Sequence, residues 1–221
     1  KALAYVVRET IQNIIDAGNS PNQVKAVFNV INIPKEKIPG HKELEYAMEA
    51  CKEYTLDSKA EKFFDNAFKI LQNNEIPSLV VSDYNTTGLT GVSKEGKEDT
   101  RGTRWHKLVL SEGSSLKDEG SGGSFGIGKK APFTLSRLRT VFYGTKTIDN
   151  EEGFKGISEL VTHPDENEDL RFGTGFFGIK ENDETRAILD LSKVDDFFKR
   201  NKTGTDIYIP GFKETPDWDI Q

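Results

Sequence analysis

Apolar residues recur at helical spacing over residues 2–17, ALAYVVRETIQNIIDA, where Leu3, Val6, Val7, Ile14 and Ile15 form a stripe. Gly18-Asn19 signals its end and Pro21 follows. From Val24 to Ile33 the pattern changes to β-branched and aromatic residues in partial alternation, which predicts a strand. Pro34, Pro39 and Gly40 break it. Residues 41–74 return to helical spacing and predict two helices, split near Thr55-Leu56-Asp57, with Asp57 or Ser58 capping the second. There Phe63, Phe64, Ala67, Phe68 and Leu71 recur at three and four residues, a core-facing stripe rather than an aromatic cofactor box. Pro77 ends the helical region, and Ser78-Leu-Val-Val81 predicts a short buried strand that delivers Asp83 at its end.

Residues 86–122 are rich in Gly, Ser, Thr and charge, with a small apolar patch from Trp105 to Leu110. A loop this long in a compact domain is usually functional or disordered. A short helix is expected over 131–137, strands over 138–146, 154–162 and 171–180, a helix over 193–200, and a last strand from Gly204 to Ile209. No internal repeat or linker divides the chain, so a single domain over 1–221 is expected.

Composition narrows the classes. The chain has 221 residues and a net charge of −6, with a pI near 5.3, which disfavours broad nucleic-acid binding. The lone cysteine, Cys51, cannot pair internally, so a reducing cytoplasm is the default expectation. No apolar run approaches the roughly 20 residues of a membrane helix. The chain opens at Lys1 and its one methionine is Met48, so it reads as a piece of a longer protein.

Three stretches carry chemistry. In the first helix Glu9, Asn13 and Asp16 follow at offsets of four and three, which puts them on one face. That face is expected to oppose the apolar stripe. A solvated surface is the plain reading. The chemical reading is a metal-phosphate site, with a carboxylate to orient water and an amide oxygen for Mg²⁺. Asn13 favours it, being a poor helix former placed mid-helix. Asp83, with Gly88 just beyond, stands where a buried carboxylate can accept a hydrogen bond from a base's exocyclic amine. Finally, Gly123-Ser-Phe-Gly126-Ile127-Gly128-Lys129 allows backbone N–H groups to surround an anion. A P-loop fits it poorly. Lys130 replaces the required Ser or Thr, and the preceding residues do not read as a buried strand.

Taken in order, these stretches resemble the motifs of the GHKL ATPase superfamily, which includes gyrase B, the ninety-kilodalton heat-shock chaperones, histidine kinases and MutL. Glu9-xxx-Asn13-xx-Asp16-Ala17 is similar to the first motif, including the catalytic glutamate that histidine kinases lack. Asp83 is similar to the adenine-binding aspartate. Gly123-xx-Gly126-x-Gly128 is similar to the glycine motif that closes the ATP lid, and Gly204-Thr205 to the last motif. One motif departs from the family: D-x-G-x-G is replaced by Asp83-Tyr-Asn85-Thr-Thr-Gly88. Asn85 tolerates left-handed backbone better than most residues, so the turn is expected to survive. The stretch 123–133, with Leu138-Arg-Thr-Val-Phe-Tyr143 after it, also resembles bacterial MORC-like members that accompany restriction and phage-defence systems.

The resemblance implies a two-layer α/β sandwich, the Bergerat fold. It has a mixed, mostly antiparallel sheet, helices on one face, an ATP lid at 86–122 and a helical insertion at 41–74. It implies ATP and Mg²⁺ as ligands. Asp83 would read adenine with Thr205 in support, and Asn13 would hold Mg²⁺. Backbone around Gly123, Gly126, Ile127 and Gly128 would wrap the phosphates, with Lys129 adding charge. Gly88 would belong to the same nucleotide-binding set, and Glu9 would activate water. It further implies an ATP-dependent homodimer of the full-length protein and a nuclease or DNA-handling partner; the lone cysteine and the lack of a long apolar run add the expectation of a cytoplasmic protein with no membrane contact. Hydrolysis by this piece alone is expected to be slow. A nucleotide-gated module without useful hydrolysis and a histidine-kinase catalytic domain are the alternatives.

Overall fold

The computed structural model describes residues 2–18, 23–110, 127–182 and 184–213. Its helices are α1 (Ala2–Asp16), α2 (His41–Tyr54), α3 (Ser58–Leu71), α4 (Arg104–Leu108) and α5 (Ile127–Leu135). Its strands are β1 (Lys25–Pro34), β2 (Glu75–Tyr84), β3 (Thr140–Lys146), β4 (Glu152–Glu159), β5 (His163–Pro164), β6 (Leu170–Arg171), β7 (Thr174–Phe177), β8 (Ile179–Glu181), β9 (Glu184–Arg186) and β10 (Gly204–Pro210). No helix among the described residues is long and apolar enough to cross a membrane.

Six strands form the main sheet in the order β1-β2-β10-β3-β4-β7. Among the described residues every neighbouring pair in this sheet is antiparallel, so no parallel pair joins the mixture that was expected. The last strand therefore sits in the middle. Its insertion brings the start of β10 beside the end of β2, with Asp206 opposite Ser82, and beside the end of β3, with Thr205 opposite Thr145.

Strand residues alternate faces, and here both faces are apolar. Ile76, Val80, Phe142, Phe154 and Tyr208 join Leu44, Met48 and Cys51 of α2 and Phe64, Ala67 and Leu71 of α3 in one core. Leu79, Val81, Val141, Tyr143, Ile207 and Ile209 join Ala131, Phe133 and Leu135 of α5, and Trp105 of α4, in another. Helices thus cover both faces, not one. The α2–α3 pair, expected as an insertion, is the lid of the second face. Asp57 caps α3, accepting from Lys59 N at 2.7 Å and Ala60 N at 3.0 Å, a bond set worth about 1 kcal/mol.

Three local expectations change. Ile14 is buried but Ile15 is 57 % exposed, so the α1 stripe is narrower than its sequence pattern. Residues 193–200 do not form a helix. Asp190 and Asp195 accept hydrogen bonds from Ser192 N and Phe197 N, and each starts a single 3₁₀ turn instead. The expected loop at 86–122 is folded through 110. Leu89, Val92, Trp105 and Val109 are buried against the sheet. Glu95 accepts from Trp105 Nε1 at 2.9 Å, from Ala187 N at 3.1 Å and from Lys155 Nζ. Residues 111–122 lie outside the described residues.

Candidate functional site

Asp83 belongs to the β2 face that carries Leu79 and Val81, so its side chain follows theirs toward the α5 side. It is 8 % exposed. Its Oδ1 accepts from the backbone N of Thr205 at 3.0 Å and from the Thr86 hydroxyl at 2.5 Å. Burial pushes the Asp83 carboxyl above the ordinary carboxylate value; the Thr86 hydroxyl, the Arg200 charge and the Thr205 backbone and hydroxyl pull it back toward ionisation.

The turn after Asp83 is held open by two left-handed residues. Asn85 has φ 62° and Gly88 has φ 69°. Asn85 thus takes the backbone conformation expected of it, and its Nδ2 donates to Gln23 O at 2.8 Å. A Cβ on Gly88 would meet Lys146 O at 2.6 Å, so glycine there also admits the end of β3. Thr145 ties the three strands' ends together: its Oγ1 accepts from Leu89 N at 2.8 Å and donates to Gly204 O at 3.0 Å. Gly204 has φ 137°, and a Cβ there would lie 2.3 Å from Asp83 O. The Gly204-Thr205 pair is explained by this close approach.

The same turn receives the end of α1. Thr87 N donates to Ala17 O at 2.9 Å, and Gly18 pairs with Thr86 in an antiparallel bridge. Arg104 of α4 donates to Asp16 O. Thr10, Ile14 and Ala17 form the buried side of α1. Glu9, Asn13 and Asp16 each precede one of these by one residue, so their face is turned about 100° from the buried one. It flanks the packed face and does not oppose it, contrary to the pattern expected. Glu9 is half-buried, and Asn13 and Asp16 are exposed. Gln12 Nε2 donates to Asp16 Oδ1 at 3.0 Å. No hydrogen bond to the Glu9 or Asn13 side chain is found among the described residues. By helical rise, Asn13 stands about 6 Å and Glu9 about 12 Å back along the axis from Ala17.

Helix α5 packs on α1. Its first residues are Ile127, Gly128 and Lys129, whose side chains lie outside the described residues, as do Gly123 and Gly126 entirely. The structure therefore brings together Asp83, Gly204 and Thr205 by direct contact, with Gly88 joined to them through Thr86 and Thr145. It brings α1 to them through Ala17 and Gly18, and α5 to α1. Among the described residues no group of three His, Cys, Asp or Glu side chains gathers around a common point. Mg²⁺ held by phosphates, waters and one or two protein oxygens does not require one.

Two residues of this region carried no sequence signal that was used. Thr86 follows Asp83 by three residues, a spacing that allows a hydroxyl to return to the carboxylate. Arg200 donates to the Asp83 carbonyl from 117 residues away, beyond any local pattern. A groove of about 470 Å³ lies elsewhere, lined by Val30, Asn32, Pro77, Arg137 and Phe212 among others. Pro77 is six residues from Asp83 along β2, about 20 Å. The Arg137 Nε already donates to Gly211 O at 3.0 Å. That groove lacks the carboxylate and glycine constellation found at Asp83.

A scan against protein-family models matches none, and no curated protein matches the sequence.

Proposed function

We propose that this chain binds ATP with Mg²⁺ and hydrolyses it as a conformational switch, in the manner of the GHKL superfamily that its motifs resemble. The observation that carries this reading is the seating of Asp83. A buried carboxylate at a strand end is held on one oxygen by Thr205 and Thr86, and the helix bearing Glu9 and Asn13 is stitched to the next turn of chain.

In this reading Asp83 accepts a hydrogen bond from the exocyclic amine of adenine. A purine without that amine leaves the carboxylate unpaired, which gives discrimination. Thr205 supports the carboxylate. The Asn13 amide oxygen would hold the metal, and Glu9 would orient the attacking water and take its proton. Backbone N–H groups around Gly123, Gly126, Ile127 and Gly128 wrap the phosphates, with Lys129 adding charge. Bound Mg²⁺ supplies neutralisation of the phosphate charge. An ATP-dependent homodimer of the full-length protein belongs to the same reading. A bacterial defence setting, with a nuclease or DNA-handling partner, rests on the likeness of residues 123–133 and 138–143 alone.

Isothermal calorimetry with Mg·ATP tests the reading. The protein is expected to bind, and Asp83→Asn, which places an amide where the acceptor stood, to lose about 100-fold in affinity. Equal binding by both proteins removes the proposal. Binding without single-turnover phosphate release from the full-length protein leaves a nucleotide-gated module in its place.

A further inference from the structure

Arg200 precedes β10 and is 5 % exposed. Its Nη1 donates to Asp206 Oδ1 at 2.5 Å. Nε donates to Lys202 O at 2.6 Å, and Nη2 to Thr203 O at 3.1 Å and to Asp83 O. Its Cζ stands 4.8 Å from the centre of the Tyr84 ring. The guanidinium therefore grips both strands that form the base-reading end: β2 through Asp83 and Tyr84, and β10 through Asp206 and the residues leading into it. Gly204 leaves the space for this grip, since a Cβ there would lie 2.3 Å from Arg200 Nη2.

Stability alone accounts poorly for this arrangement. Desolvating a buried ion pair offsets much of its attraction, and apolar replacements of similar volume are often no less stable. A planar fork does supply what a lysine or an apolar residue lacks, which is several fixed directions at once. One of those directions here ends on the backbone of Asp83, and the others on Asp206, Lys202 and Thr203.

We propose that Arg200 is the positioning residue for base recognition: by clamping the Asp83 carbonyl to Asp206 across the β2–β10 pair, it fixes the angle at which the Asp83 carboxylate meets a 6-aminopurine. This rests on the nucleotide reading above. Arg200 reaches the ligand only through Asp83. Its loss changes which base is preferred and leaves attachment through the phosphates in place.

The test compares ATP with inosine triphosphate, which carries a 6-oxo group, by calorimetry in the presence of Mg²⁺. The proteins are the wild type, Arg200→Lys, and the double variant Arg200→Met/Asp206→Asn, which removes the guanidinium together with its ion-pair partner. The wild type is expected to prefer ATP. The double variant is expected to hold inosine triphosphate within about twofold of wild type while losing about tenfold in preference for ATP. Arg200→Lys keeps the charge without the fork and is expected to fall between. A ratio unchanged in the variants overturns the proposal, as does an equal loss of both ligands, which is the mark of a merely structural role. Should the double variant not melt cooperatively, the ratio in Arg200→Lys decides by itself. A wild type that binds neither ligand, or both equally, fails at the nucleotide reading and removes the ground for this one; loss of the proposal alone leaves wild-type ATP preference intact.

Discussion

Asp83 and Asn13 stand at two ends of one candidate site, and the chain holds them differently. Asp83 is buried, bonded to Thr86 and Thr205, and backed by Arg200 and Asp206. Asn13 and Asp16 are exposed on the flank of α1. The first end is fixed before any ligand arrives, so it can select by geometry at little ordering cost. The second presents polar groups to solvent and suits a charged, hydrated ligand that brings its own metal and waters. The proposed function assigns base recognition to the rigid end and phosphate chemistry to the open one, and each half can be broken separately.

The largest effect is expected at the rigid end. Gly204→Ala places a methyl against Asp83 O and Arg200 Nη2 at a positive φ. It should cost about 3 kcal/mol, measured by urea denaturation, and abolish Mg·ATP binding with it. Glu9→Ala attacks the open end. Binding measured by calorimetry should stay within about twofold, while turnover of the full-length protein falls by about 100-fold or more. Unchanged turnover removes Glu9 from the mechanism. Thr86→Val keeps the shape of the turn but deletes the hydroxyl donor to Asp83. Mg·ATP affinity should fall about fivefold to tenfold, and no change would mean that Oδ1 needs no second donor.

The smallest effect marks the boundary of both regions. Lys52 and Lys69 donate to Asp65 and hold its carboxyl down to about 2 from 3.8, linking α2 to α3. A depressed acid stabilises the folded state above its unfolded value and loses that contribution as pH falls through the folded one. Stability should therefore decline between pH 3.8 and about 2. Asp65→Asn should flatten this limb in acid denaturation and leave nucleotide binding untouched. An altered affinity would show that the second face of the sheet communicates with the site.

Much of this division was legible in the residues themselves. The offsets of Glu9, Asn13 and Asp16 gave a shared helix face because helical period is local. The capping of α3 by Asp57 and the left-handed turn at Asn85 followed from side-chain chemistry that acts within a few residues. Long-range packing was not legible. The strands alternate with apolar residues of both parities, so the sequence alone did not reveal that α2 and α3 close the second face. Ile15 has the composition of a core residue and stands in solvent, because α1 rests on the side carrying Thr10, Ile14 and Ala17. Arg200 joins Asp83 only after β10 inserts between β2 and β3.

The central claim is that both ends meet a single purine triphosphate. A crystal structure with Mg²⁺ and a non-hydrolysable ATP analogue tests it most directly. The account predicts the 6-amino group on the Asp83 carboxylate and, on the same molecule, the metal at Asn13 with the terminal phosphate facing Glu9. A nucleotide seated away from Asp83, or one whose phosphates run away from α1, would contradict it.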